Sequence, residues 1–160
     1  MNALKKQDID QPGAEKNITV QTSRFGEITV DRERIISMLS PFLGFPESTR
    51  FILKSHSPKS PFMWLQSLDN PQLAFVVLPA SLTGLDYRPE IPRQILKELR
   101  VNADNDKDIL LILTIPKNNP QEMTANLLGP IVLNSNKRLA VQVVLDPHKY
   151  DPCCRLFPAK

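Results

Sequence analysis

The sequence predicts a mostly β fold, a small antiparallel β-barrel-like domain with one short helix. The chain has 160 residues, with 15 Pro and only 5 Gly. So many Pro argue against long helices, because an interior Pro costs a helix about 3 kcal/mol. Several short segments also alternate apolar and polar residues with the period of two that is typical of half-buried strands. About eight strands and one helix are predicted from these patterns.

A chain of 160 residues fits a single domain, which is predicted to span residues 18–150. Residues 1–17 are polar and charged, and they lack an apolar period, so a flexible N-terminal tail is expected there. Residues 151–160 contain Pro152 and Pro158 and are predicted to form an irregular C-terminal tail.

The first two strands are predicted to form a hairpin from ITVQT, residues 18–22, and EITV, residues 27–30. Gly26 precedes the second strand and supplies the positive φ that a tight reversal needs. The following segment, DRERIISMLS, residues 31–40, fits either a short helix capped by Asp31 or a bent strand. RFILK, residues 50–54, is predicted as the next strand.

A central hairpin is predicted in SPFMWLQSLDNPQLAFVVLP, residues 60–79. Its turn is SLDNP, where Asp and Asn side chains bond back to the backbone and Pro fixes φ. Aromatic and β-branched residues on a central hairpin usually pack inward. We therefore expect Trp64, Phe75 and Val77 in the core.

The remaining elements follow from the same patterns. IPRQILKELR is predicted as the helix, because Pro92 suits the first turn and Ile95, Leu96 and Leu99 form one apolar stripe. The later strands are predicted at residues 109–116, 131–134 and 138–145.

Charge and composition exclude several classes of function. The net charge of the chain is +3. Its Lys and Arg residues are scattered along the sequence, so direct nucleic-acid binding is not expected. No 18-residue apolar segment occurs, which argues against a membrane span. The N-terminus lacks the apolar region of a signal peptide, and the adjacent Cys153 and Cys154 cannot build a disulfide framework. A cytoplasmic location is the expectation.

No catalytic residue, metal site or cofactor is predicted. The five Gly leave no GxGxxG motif and no P-loop. His56 and His148 stand in polar loops, and adjacent cysteines cannot easily both face one tetrahedral zinc ion. Two alternatives to a protein-binding module stay open. One is a barrel that binds a small ligand in its interior, and the other is a hydrolase built on one of the two His, for instance His56 with Ser57 and Asp69.

Two segments in this order, FMWLQSLDNPQLAFVV and MTANLLGPIVLN, resemble the FliW family of flagellar assembly factors. SRFGEITV, FLGFPESTRFIL and RLAVQVVLD are similar to further family segments, so the resemblance covers residues 18–150. Gly129 stands where the family pattern ANLLAP has Ala, and extra backbone freedom is expected beside Pro130.

The resemblance implies a small β-barrel-like fold and a role without catalysis. Members of the family bind newly made flagellin, and they also bind CsrA, an RNA-binding dimer that represses flagellin translation. Flagellin and CsrA compete for the factor. Export of flagellin then frees the factor to capture CsrA at a place other than its RNA surface, which lifts the repression.

Two groups of residues are predicted to contact the partners. Gln66, Asp69, Asn70 and Gln72 flank the turn of the central hairpin and are expected to present polar contacts. In the second segment, Asn126 is either a buried backbone pin or an exposed donor. Leu127 and Leu128 precede the Gly-Pro break, where an apolar anchor at a strand end would be useful.

Overall fold

The computed structural model describes residues 16–103 and 106–157. In these ranges the chain forms one α-helix, α1, over Arg93–Glu98, and eleven strands. The strands are β1 Asn17–Thr22, β2 Gly26–Asp31, β3 Ile36–Met38, β4 Arg50–Ser55, β5 Met63–Ser67, β6 Ala74–Pro79, β7 Asp108–Thr114, β8 Thr124–Ala125, β9 Ile131–Asn134, β10 Leu139–Gln142 and β11 Cys154–Arg155.

Seven of the strands form a closed barrel in the order β7-β6-β5-β4-β3-β10-β9, which pairing of β7 with β9 closes. The pairs are antiparallel except for β3 and β10, which run parallel. The predicted fold class, a mostly β barrel with one short helix, is confirmed. Closure pairs most of the strand edges that an open sheet would expose.

Side chains fill the interior of the barrel. The core residues Phe51, Leu65, Val77, Leu110 and Ile131 are at most 2% exposed. They alternate with outward-facing residues along their strands, as the strand period requires. Burial of this apolar surface is the main favourable contribution to folding.

The β1–β2 hairpin packs on the outside of the barrel. Val30 of the hairpin is buried against Ile52 and Leu68 of the barrel. Gly26 has a φ of 70°, so the positive φ predicted for the reversal is confirmed. The two readings of residues 31–40 combine, because a single 3-10 turn at Arg32–Arg34 is capped by Asp31 and leads into β3.

Helix α1 covers a second outer face of the barrel. Leu99, directly after the helix, is fully buried against Val132 and Val141. Arg100 then adopts a φ of 61°, and the amide of Asn134 donates to the carbonyls of Leu99 and Arg100. These two bonds fix the helix end to strand β9. The helix has six residues, and no helix in the described ranges is long and apolar enough to cross a membrane.

The two chain ends differ from the prediction. Strand β1 begins at Asn17, one residue before the predicted domain start, while residues 1–15 of the predicted tail lie outside the described residues. The C-terminal segment is not wholly irregular, because Cys154 and Arg155 pair with β8 as β11. This pairing covers the outer edge of β8. Residues 158–160 lie outside the described residues.

Candidate protein-interaction surface

The turn of the central hairpin is built by its own side chains. The Ser67 hydroxyl accepts hydrogen bonds from the backbone N–H groups of Asp69 and Asn70, at 3.0 and 2.9 Å. The Asn70 side chain then accepts from the N–H of Gln72 at 3.0 Å. Side-chain oxygens of this kind replace the backbone partners that a turn lacks. The turn therefore has a defined shape without help from a partner.

Asp69 anchors this turn to strand β4. Its Oδ2 accepts from the backbone N–H groups of Thr49 and Arg50, and its Oδ1 accepts from Nε and Nη2 of the Arg50 guanidinium. Burial alone would raise the pKa of Asp69, but the hydrogen bonds and charge of Arg50 and the Thr49 N–H outweigh it and lower the pKa. The carboxylate is thus occupied within the chain.

Gln66 is placed differently from the prediction. It is fully buried, and its amide nitrogen donates to the carbonyls of Ser67, Pro71 and Leu73. It was expected to present polar contacts at the surface, and burial removes it from that role in this structure. Gln72 is exposed and Asn70 is half-buried, so both present surface to a partner.

Of the two alternatives left open for Asn126, the structure shows the backbone pin. Its side-chain oxygen accepts from the N–H groups of Leu128 and Gly129, both at 3.0 Å. The backbone of Leu127 is held on both sides, because its N–H donates to Asp151 and its carbonyl accepts from the Tyr87 hydroxyl at 2.7 Å. Leu127 and Leu128 are half-buried. Leu127 packs on an apolar cluster whose buried members include Leu78, Leu111 and Met123.

Gly129 has a role other than the predicted backbone freedom. A Cβ at this position would lie 2.7 Å from Nε2 of Gln142. That nitrogen donates to the Gly129 carbonyl at 3.0 Å. Gly129 is therefore needed for close approach of a side chain and not for an unusual φ.

The two predicted groups do not form one site through direct bonds. The hairpin turn is tied to Thr49 and Arg50, whereas the Asn126 segment is tied to Tyr87 and Asp151. The hydrogen bonds found among residues 16–103 and 106–157 link neither group to the other. A partner that used both would have to span part of the barrel surface.

An open groove of about 500 Å³ lies at the end of the ladder between β6 and β7. This ladder is formed by Val77–Ile112, Leu78–Leu111 and Pro79–Leu110, and the opposite edge of β7 pairs first with β9 and then with β8. The groove is lined mainly by apolar side chains, among them Trp64, Phe75, Val76, Ile112 and Ile115, together with Arg24 and His56.

Trp64 belongs to this groove and not to the interior. Val77 is buried as predicted, and Phe75 packs against the main core, but Trp64 is half-buried on the outer face. The Arg24 guanidinium carbon lies 3.9 Å from the centre of a Trp64 ring, a cation–π contact, and Phe25 packs edge-on against the same side chain. Arg24 and Ile115 were missed from the sequence, because nothing local indicates where the ladder between β6 and β7 ends.

The groups considered for catalysis are not assembled. His56 and His148 are exposed, and the carboxylate of Asp69 is held by Arg50 and not by His56. Within the described ranges, no group of three or more His, Cys, Asp or Glu side chains is placed to hold a metal ion. Burial raises the pKa of the Cys154 thiol, and the nearby Asp151 charge adds to this effect.

A model of the family described as FliW protein matches residues 19–154. The flagellar assembly factor FliW of Geobacter sulfurreducens is 41% identical over 133 residues, covering 83% of this chain and 82% of that protein. The flagellar assembly factor FliW of Syntrophus aciditrophicus is 40% identical over 136 residues, covering 82% and 85%.

The fold agrees with these relatives. A crystal structure of the flagellar assembly factor FliW superposes with a TM-score of 0.81 at 31% identity, covering 89% of this chain and 99% of that chain. The family model, the sequence relatives and the closed barrel lead to the same assignment. The chain belongs to the FliW family.

Proposed function

We propose that this chain is a flagellar assembly factor that acts in the cytoplasm by binding proteins and without catalysis. It binds newly made flagellin and, when free of flagellin, binds the translational repressor CsrA. Capture of CsrA relieves the repression of flagellin mRNA. The two partners compete, so the amount of free flagellin sets the fraction of the chain that is available to CsrA.

Membership of the FliW family is the observation that carries this proposal, since curated relatives at 41% and 40% identity are flagellar assembly factors. The structure adds support of its own. The hairpin turn and the Asn126 segment are rigidly held by internal hydrogen bonds. A surface that is ordered before binding loses less conformational entropy on association.

The two other candidate functions receive less support. A small-ligand barrel needs an open interior, but large side chains such as Phe51 and Leu65 fill it. A hydrolase needs a nucleophile and a base within hydrogen-bond reach. His56 lies on an exposed loop, and its backbone N–H bonds to Phe62, while Asp69 is engaged by Arg50.

Titration calorimetry with the cognate flagellin and with CsrA tests the binding step. We expect saturable binding of each partner and displacement of CsrA by added flagellin. Displacement should also be seen in the reverse order, with CsrA added to the flagellin complex. Linkage requires that each partner lower the affinity of the chain for the other by the same factor. Absence of binding to both partners at micromolar concentration would overturn the proposal.

A gel-shift assay on the flagellin leader RNA tests the regulatory step. The chain alone is expected to leave the RNA unshifted, because its Lys and Arg residues are scattered along the sequence and not gathered in a basic run. Added to a CsrA–RNA complex, it is expected to release the RNA. Addition of flagellin to that mixture restores the CsrA–RNA band. A direct shift of the RNA by the chain alone would contradict the expected role.

A further inference from the structure

The groove beside β6 contains a short length of unpaired strand edge. Ala74 pairs with Gln66 of β5, but the ladder between β6 and β7 includes no residue before Val77, so Ala74 has no ladder partner in β7. The Leu73 carbonyl accepts from the Ser67 N–H, so it faces β5. Successive residues of a strand point their backbone groups in opposite directions. The N–H and carbonyl of Ala74 therefore face the groove.

The floor of the groove is apolar. Trp64 and Val76 form one wall, and Ile112, Leu113 and Ile115 form the other. Ile115 is a large apolar side chain that is 38% exposed. A volume of about 500 Å³ lies within the range of known ligand-binding sites. The groove can therefore accept a few side chains of a partner.

Arg24 gives the rim of the groove a positive charge. The residues that line the groove include no Asp or Glu. Arg24 makes no ion pair with a carboxylate within the described ranges, where the pairs are Arg50–Asp69 and Arg88–Asp86. Its guanidinium is held over Trp64 with its donors available. This charge complements a carboxylate on the occupant.

A smaller cavity of about 200 Å³ continues the groove past Ala74, since Arg24 and Ala74 line both. Gln66 and Gln72 line its far end. The Gln66 amide nitrogen is fixed by backbone carbonyls, and its Oε1 is the buried side-chain atom that has no hydrogen-bond partner in the described part of the chain.

We infer that the β6–β7 groove binds an extended, apolar segment of flagellin that carries a carboxylate. This inference rests on the proposed function and adds the place and the mode of binding. The segment pairs with the free edge of β6 at Ala74, inserts apolar side chains between Trp64 and Ile115, and places its carboxylate on Arg24. Flagellin fits this rim better than CsrA does, because an RNA-binding protein is itself expected to be cationic.

Two surface substitutions test the groove. Arg24→Glu reverses the charge at the rim, and Ile115→Ser removes exposed apolar surface from one wall. Arg93→Glu is the matched control, because it makes the same charge change on the exposed face of helix α1, away from the groove lining. We expect Arg24→Glu to weaken flagellin binding roughly tenfold or more, Ile115→Ser to weaken it several-fold, and Arg93→Glu to change it less than about twofold.

Amide hydrogen exchange tests the extended mode. Pairing with the strand edge predicts that the Ala74 amide becomes protected when flagellin binds, whereas a helix laid in the groove would leave it unprotected. Flagellin binding of unaltered strength in both groove variants, or a loss confined to CsrA, would overturn the inference. An unprotected Ala74 amide would overturn the extended mode. Failure of the unaltered chain to bind flagellin would instead overturn the proposed function itself.

Discussion

Arg50 and Asp69 form a two-pronged ion pair, in which Nε and Nη2 of the guanidinium reach one carboxylate oxygen at 3.1 and 2.8 Å. The other oxygen accepts two backbone N–H groups from β4 and the residue before it. The pair joins the turn of the central hairpin to the neighbouring strand. It thus connects a surface loop to the rigid barrel wall.

Asp69→Asn is expected to lower the free energy of unfolding by about 1 kcal/mol at pH 7, because a charged acceptor of several hydrogen bonds becomes neutral. The native pKa of Asp69 lies below its ordinary value of 3.8. Its stabilisation is therefore complete above that value and is lost as the pH falls through the native pKa. Urea unfolding at pH 7 and at about pH 3 should show the variant and the parent converging at low pH. Asp86→Asn, which changes an exposed pair, is the control and should have little effect at either pH.

Asn126→Ala is expected to destabilise the fold by about 1–2 kcal/mol, because two half-buried N–H groups lose their acceptor. Asn118→Ala, at an exposed turn position, is the matched control and should change stability by less than about 0.5 kcal/mol. Thermal or denaturant unfolding measures both. Equal stability of the two variants would show that the pin contributes nothing.

Gly129→Ala is expected to cost about 1 kcal/mol, because the new methyl group would displace the Gln142 side chain and break its bond to the Gly129 carbonyl. The end of a Gln side chain can move, which keeps the cost moderate. The same substitution in a Gln142→Ala background should cost less, since the bond and the clash are already gone. Additive effects in this double-mutant cycle would contradict the proposed contact.

Tyr87 is expected to ionise later than a free tyrosine, because burial raises its pKa above the ordinary 10.0 and the neighbouring Tyr150 adds to the rise. In Tyr150→Phe, Tyr87 is the only tyrosine left, so ultraviolet absorbance reports it alone. The contribution of Tyr87 to the free energy of unfolding is complete below the ordinary pKa, and it is lost as the pH rises toward the pKa of the folded state. Tyr87→Phe should cost about 1 kcal/mol at neutral pH, through loss of the bond to the Leu127 carbonyl. An ordinary titration midpoint in Tyr150→Phe would contradict the burial of this hydroxyl.

The sequence predicted the elements whose cause is local. The period of two in ITVQT, the positive φ at Gly26 and the capping by Asp31 depend on neighbouring residues, and all appear in the structure. The pin at Asn126 was one of the two alternatives that the sequence left open, and its bonds to the N–H groups of Leu128 and Gly129 are also local.

Features that depend on distant strands could not be predicted in this way. Gln66 is a polar residue of a type that is usually exposed. In the structure the hairpin turn covers it, and its amide nitrogen donates to three backbone carbonyls. Trp64 looks like a core residue, yet its register in β5 directs it outward. The groove lies where the ladder between β6 and β7 ends at Val77 and Ile112, and no local pattern indicates where two strands stop pairing.

The parallel pairing of β3 with β10 joins residues about a hundred positions apart in the sequence. During synthesis on a ribosome, β3 emerges early. It can pair with β10 and close the barrel only after Leu139 and Ala140 have been made. A nascent chain that stops short of these residues leaves the ring open, and long-range closures of this kind slow folding. The factor should therefore gain its barrel, and with it any capacity for partners, only after translation has passed Ala140.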